Sequence, residues 1–311
     1  MLELGGYGST RSLPLVTPPR AAPGDPGPGT TLAHSVDDWI RRGIRVRPEI
    51  SVVIPAFNEE ARLGQPLREI VRYFRERNRA AEILVVDDGS RDGTSGLVLR
   101  LARQYPEIRL IRLPANAGKG YAVRTGVVNA SGRLVLFADA DGATPIAEIE
   151  ALEAAIDSGA DIAIGSRAVR SESVQVRARL YRRVMGRAFH LLVRTLAVKG
   201  IADTQCGFKL FRGPVAQDLF SRMRMNGFSF DVEVLLMARR AGYRIAEVPV
   251  NWTHQPGSRV NLVLDSLRMA RDVFRIRGNL LRGYYDQPRV AVVDLEPHGA
   301  ERLLAPTSPV L

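Results

Sequence analysis

The sequence predicts an α/β fold with a mostly parallel central sheet flanked by helices. Three observations carry that expectation. From Ile50 onward, short apolar runs alternate with segments of helical spacing. The run Leu134–Ala138 is continuous and has the length and composition of a strand buried on both faces. The loops between these elements are short, which suits strands joined by crossover helices.

The elements follow in order. Residues 1–47 open with a Pro- and Gly-rich leader that includes Ala22-Pro23-Gly24-Asp25-Pro26-Gly27-Pro28-Gly29. Such composition holds neither helix nor strand, and the leader is expected to be disordered. Val36–Arg47 reads as a short helix closed by Pro48. The core domain is expected over residues 48–255. Its first strand is Ile50–Ile54, ended by Pro55, and Asn58 is a plausible helix cap. Leu67, Ile70, Val71 and Phe74 have helical spacing. Glu82–Val86 is the second strand, Thr94–Gln104 a helix and Ile108–Leu113 the third strand. A helix over Tyr121–Asn129, a strand over Leu134–Ala138, a helix over Ile146–Ser158 and a strand over Asp161–Gly165 complete the alternation.

Beyond Gly165 the pattern changes. Arg177–Val198 reads as a long amphipathic helix with an Arg-rich face that includes Arg179 and Arg182. Asp203–Phe211 and Asn226–Glu233 read as irregular site loops, Val234–Ala241 as a helix and Tyr243–Val250 as a final strand. A second basic amphipathic helix spans Leu262–Arg282, within a segment taken as residues 256–285. Residues 286–311 read as a loose tail with weak strand character at Val290–Val293.

In a parallel sheet, ligands bind beyond the carboxyl ends of the strands. Glu59, Asp87, Asp88, Lys119, Asp139, Asp141 and Arg167 all follow predicted strands and should converge on one edge. The fourth strand ends in Asp139-Ala140-Asp141. Two carboxylates one residue apart can share a hard divalent cation, Mg2+ or Mn2+, whose remaining ligands are substrate phosphate oxygens. Read alone, the same acids simply end a strand in a polar loop. Asp87-Asp88-Gly89-Ser90 is equally good turn chemistry. Lys119 stands near a helix start, where an anion is favoured, although a surface lysine would look the same. No dinucleotide-binding or Walker-type glycine pattern is present.

The chain of 311 residues is 45% hydrophobic and 25% charged, ordinary for a globular protein. A net charge of +11 and a pI near 10.4 imply an anionic partner. Nucleic acid is disfavoured, because no aromatic stacking motif accompanies the charge. One cysteine, Cys206, rules out an internal disulfide or a Cys-rich metal site. No apolar run approaches the roughly 20 residues of a membrane span. The location expected is cytoplasmic.

Seven motifs in order make a further reading possible: Ile54-Pro55-Ala56-Phe57-Asn58-Glu59-Glu60, Asp87-Asp88-Gly89-Ser90, Asn116-Ala117-Gly118-Lys119-Gly120, Asp139-Ala140-Asp141-Gly142, Gly165-Ser166-Arg167, Asp203-Thr204-Gln205-Cys206-Gly207-Phe208-Lys209 and Phe230-Asp231-Val232-Glu233. Together they resemble family-two inverting glycosyltransferases of the GT-A nucleotide-sugar fold, in the branch of dolichyl-phosphate and bacterial polyprenyl-phosphate glycosyltransferases. The resemblance covers about residues 50–255.

It implies a nucleotide-sugar donor, UDP-glucose favoured, and a polyprenyl-phosphate acceptor. Pro55, Phe57 and Glu59 would wrap the base and ribose, although Phe57 also suits the core. Asp87 and Asp88 would read the uracil or ribose, one of them serving structure alone. Lys119, Asp139, Ala140 and Asp141 would hold the diphosphate, with Asp139 and Asp141 on the metal. Arg167 would fork onto the acceptor phosphate, with Arg179, Arg182 and Lys209 as weaker candidates. Asp231 would act as base or orient the acceptor. An extended backbone there would put Asp231 and Glu233 on one side. Ala143 stands where many dolichyl-phosphate mannosyltransferases carry Gln, which argues against GDP-mannose, the alternative donor. A soluble or polymeric acceptor is the other alternative. A lipid acceptor also gives the basic amphipathic helices a role at the inner face of the membrane, as peripheral contacts. The same stripes would equally pack on the sheet.

Overall fold

The computed structural model describes residues 48–169, 176–177, 200–255 and 262–286. The leader with its short helix, the amphipathic stretch beyond Arg177 with Arg179 and Arg182, and the tail with Val290–Val293 lie outside the described residues.

Strands β1 (Ile50–Ala56), β2 (Ala81–Asp87), β3 (Ile108–Arg112), β4 (Leu134–Ala138) and β5 (Ile162–Ser166) fall on the five apolar runs. Between them stand helices α1 (Gly64–Glu76), α2 (Thr94–Gln104), α3 (Lys119–Val128) and α4 (Ile149–Asp157), the last preceded by a 3-10 turn over Ile146–Glu148. Then come β6 (Val176–Arg177), β7 (Phe208–Arg212), α5 (Gly213–Arg222), α6 (Phe230–Arg240), β8 (Ile245–Pro249), β9 (Trp252–Thr253) and α7 (Leu262–Leu281).

Among the described residues, seven strands form one sheet in the order β3-β2-β1-β4-β7-β5-β8. All its pairings are parallel except those of β7, which runs antiparallel to both β4 and β5. β6 and β9 make a separate parallel pair. β1 extends past Pro55 to Ala56, because pairing with β2 continues to Ala56↔Asp87. The β1–β4 ladder has already stopped at Val53↔Phe137. The proline, which has no N–H to give, therefore falls beyond that ladder.

Alternation along each strand splits the core into two layers. Ile50, Val52 and Ile54 pack with Leu67 and Phe74 of α1, Val98 of α2 and Leu152 of α4. Val53, Leu84, Val135 and Phe137 pack on the opposite face with α3, α5, α6 and α7, through Val123, Leu219, Leu235 and Val273 among others. The α1 stripe Leu67, Ile70, Val71 and Phe74 is buried as its spacing predicts.

The second half corrects the sequence reading in three places. Phe208–Arg212 is a strand at the heart of the sheet rather than part of a loop. Phe208 and Leu210 face one core layer and Phe211 the other. The helix expected from Val234 begins at Phe230, so Asp231 and Glu233 stand on its first turn. Residues two apart on a helix point to nearly opposite sides, and the two acids do not share a face. α5, which carries a proline in its first turn, has no counterpart in the sequence reading.

Candidate active site

β1, β2, β3, β4 and β5 run parallel, so their carboxyl ends open on one edge. The loop after β1 is sewn to the loop after β2. Asn58, at φ 53°, donates its N–H to Ser90 Oγ (2.8 Å), and its Oδ1 accepts the Arg91 N–H (2.8 Å). Asn58 is thus a loop cross-link rather than a helix cap. The Glu59 N–H bonds Thr94 Oγ1 at 2.8 Å, and its carboxylate takes a two-point bond from Arg62 at 2.8 and 2.5 Å.

Beside this seam lies a cavity of 530 Å³, lined by Phe57, Asn58, Gly89, Ser90, Arg91 and Arg112 and by the residues 113–116 that follow β3. That size suits a small ligand. Phe57 is half-buried and faces it. Asp87 and Asp88 do not line it. Asp87 is wholly buried and accepts from the Ser90 N–H (2.9 Å) and from the Ser95 hydroxyl. Asp88 accepts the N–H groups of Ala117 (2.7 Å) and Gly118 (2.9 Å), and burial pushes its carboxyl up from the ordinary range. The acid pair therefore braces the loops that shape the cavity, and Asp87 makes the bond to the Ser90 N–H that its Asp-Gly-Ser setting favours.

Asp88 also sets the start of α3. Gly118 there adopts φ +103°, a conformation glycine takes without strain. Next to it Lys119 reaches Asp139 Oδ1 at 2.7 Å. Burial alone would lower the Lys119 pKa. The carboxylates of Asp139, Asp231 and Asp141 outweigh it and hold the ammonium above the usual lysine range.

Asp139 and Asp141 leave the end of β4. Asp139 is tied by its N–H to the Gly207 carbonyl (2.9 Å). A Cβ at position 207 would lie 2.0 Å from Asp139 Oδ2, so any other residue there would displace this carboxylate. The Asp139 side chain keeps 36% of its surface exposed. Asp141 Oδ1 accepts the Ala143 N–H at 3.0 Å, and burial together with the neighbouring Asp139 raises its pKa. Among the described residues no three His, Cys, Asp or Glu side chains gather into a metal cluster. Two oxygen-donor carboxylates, one of them open, fit a hard cation that takes its other ligands from a diphosphate and water.

The residues expected to meet the acceptor are arranged differently from the sequence reading. The Arg167 fork is already engaged: Nε and Nη2 bond the two oxygens of Asp203 at 2.7 and 2.9 Å, and the Arg167 N–H adds a third bond at 3.0 Å. Its guanidinium lies 5.4 Å from the centre of the Trp252 ring. Asp203 in turn is positioned by Glu247, which accepts the N–H groups of Ala202 and Asp203. Lys209, expected as a weaker candidate for the acceptor phosphate, is 2% exposed and engaged inside the protein. Opposite Phe137 in the β4–β7 register, its Nζ bonds Asp231 Oδ1 and the Cys206 carbonyl, both at 2.6 Å. Burial pushes the Asp231 carboxyl up, opposed by Lys209 and Lys119. Charges thus alternate from Asp139 through Lys119 and Asp231 to Lys209. Asp203 and Glu247 escaped the sequence reading because their partners are distant along the chain. The one sequence signal for Asp203 is its place at the head of the Asp203–Lys209 motif.

A sheet of this order, with a nucleoside-sized cavity beside a two-carboxylate edge, is that of a GT-A glycosyltransferase. Residues 51–220 match the family model Glycosyl transferase family 2. The chain belongs to that family. It is 38% identical over 248 residues to dolichyl-phosphate beta-glucosyltransferase of Dictyostelium discoideum, across 76% of each chain. It is 39% identical over 249 residues to the human protein of the same name, again across 76% of each. Among solved structures it resembles glucosyl-3-phosphoglycerate synthase from Mycobacterium tuberculosis in complex with Mn2+ and uridine-diphosphate-glucose. There the TM-score is 0.53 at 20% identity, over 84% of this chain and 86% of that one, a likeness of fold.

Proposed function

We propose that this chain transfers glucose from UDP-glucose to a dolichyl or polyprenyl phosphate, with inversion at the anomeric carbon. One observation carries the substrate assignment: the relatives named dolichyl-phosphate beta-glucosyltransferase match over three quarters of both chains. The geometry supports the chemistry. The cavity beside Phe57 takes the base, and the edge from β1 to β4 takes ribose and diphosphate. Lys119 and the amino end of α3 bind the diphosphate. Asp139 and Asp141 would hold Mg2+ or Mn2+, which when bound neutralises charge on the leaving nucleoside diphosphate. The acceptor phosphate is already anionic, so its oxygen attacks without needing a strong base. Asp231, paired with Lys209, orients rather than deprotonates. Arg167, held edge-on by Asp203, supplies positive charge near the acceptor. A peripheral contact with the inner face of the membrane completes the reading. Among the described residues, no helix is long and apolar enough to cross a bilayer.

The test is a donor screen with polyprenyl phosphate and divalent metal, reading released nucleoside diphosphate. UDP release from UDP-glucose is expected. Asp139→Ala and Asp141→Ala should each lower kcat/KM at least about a hundredfold without unfolding the protein. Equal activity in either variant would remove the metal role, and release from GDP-mannose alone would overturn the donor.

A further inference from the structure

Glu233 is fully buried on the first turn of α6, turned away from Asp231. Its Oε2 accepts the N–H groups of Arg224 (3.0 Å) and Met225 (2.8 Å). Its Oε1 accepts the Tyr285 hydroxyl at 2.7 Å. Arg224 is tied to the same C-terminal segment, because its Nε donates to the Tyr284 carbonyl at 2.7 Å.

The segment that Glu233 pins continues directly to the start of α3. The Asn226 carbonyl accepts the Tyr121 N–H at 3.2 Å. Gly118 and Gly120 admit the loop. A Cβ on Gly118 would lie 2.4 Å from Asn226 O, and one on Gly120 would lie 2.5 Å from Met225 O. Lys119 stands between these two glycines, and the ring of Phe228 from the same loop lies 5.9 Å from its Nζ. An unbroken set of contacts therefore runs from Tyr285 through Glu233 and residues 224–226 to the residue that faces Asp139.

We propose that Glu233 is a positioning residue for the donor: by fixing residues 224–226 it holds the first turn of α3 so that Lys119 meets the diphosphate. Tyr285 locks Glu233, which makes the segment after α7 part of the donor site's support. A buried carboxylate is a demanding anchor, since it needs every one of its donors. Burial pushes its carboxyl up, opposed by the bonds from Met225, Tyr285 and Arg224, and the same bonds hold two backbone N–H groups in one place.

The proposal rests on the donor assignment above, and its test separates the two. In Glu233→Gln and in Tyr285→Phe, amide hydrogen exchange and UDP affinity by calorimetry are measured on the full chain. Faster exchange at Met225 and Tyr121 is expected, together with UDP binding weakened about tenfold in Glu233→Gln and less in Tyr285→Phe. The KM for the donor should rise while that for the lipid phosphate stays within twofold. Unchanged exchange at Tyr121 overturns the proposal. So does a lowered Tm with UDP affinity unchanged, which would mark a purely structural role. Tyr285→Phe removes a single hydroxyl and keeps the test open if Glu233→Gln does not fold. If the wild-type protein binds no UDP, the donor assignment fails, and exchange at Tyr121 still decides whether Glu233 governs the α3 turn.

Discussion

Arg167 and Asp203 hold each other through two side-chain bonds and one backbone bond. Burial pushes the Asp203 carboxyl up, but the Arg167 guanidinium and these bonds outweigh it and leave it below its ordinary 3.8. A carboxyl depressed on folding adds stability that is fully present above its unfolded pKa and is lost as pH falls through the folded value. Wild-type stability should therefore fall more steeply below about pH 4 than that of Asp203→Asn. At neutral pH the variant should be less stable by about 1–3 kcal/mol, because it unpairs a guanidinium whose side chain keeps 31% of its surface exposed. Thermal melts across pH check both, and a gap independent of pH would refute the assignment. Residues differ in how far they can be read in advance. Asp139 and Asp141 are visible because the strand and its acids are local. The Arg167–Asp203 pair is closed by the fold, so neither residue announces the other, and the fork looks available when it is engaged.

At the scale of the element, β7 decides the architecture of the second half. It was illegible because Lys209 interrupts its apolar pattern and a Gly-containing turn precedes it. A strand with a lysine in the core reads as a loop until the partner Asp231 is known. The first five strands lack that problem, because their charged residues, Glu82, Asp87, Arg109 and Arg112, leave an apolar core of the run intact, and they fall on the apolar runs. The buried pair yields a sign-changing prediction. Lys209→Met alone should cost about 3–5 kcal/mol by stranding Asp231 in the interior, while Lys209→Met combined with Asp231→Leu should recover most of it. Denaturant melts measure the cycle. A double variant that loses the sum of the single costs would show that the pair does not act as a unit.

Across the whole molecule, the excess charge of +11 has a geometric outlet on α7. Met269, Val273 and Ile276 turn inward. Phe274 and Leu281, two turns apart on the outward side, remain 62% and 85% exposed. Arg271, Arg275 and Arg282 stand exposed beside them. Apolar side chains fringed by arginines suit the headgroup boundary of a bilayer. The helix also borders the site, through Ser229 to Asp272 (2.9 Å) and Gln205 to Met269 (3.6 Å). The protein should bind vesicles containing anionic lipid and release with salt. Phe274→Ser with Leu281→Ser should reduce binding at least about tenfold, and co-sedimentation equal to wild type would count against this face. The sequence reveals the helix and its arginines. Only the packing reveals which apolar residues are left over.

The antiparallel course of β7 has one more consequence. β5 ends at Ser166 and β7 begins at Phe208, and both points lie on the same margin of the sheet. The described ends of the intervening chain are bonded to each other there, Arg167 to both carboxylate oxygens of Asp203. A loop whose ends are already held together gains length at a cost that grows slowly. A change confined between Arg167 and Asp203 therefore leaves β3, β2, β1 and β4, the half of the sheet beside the cavity, in their order.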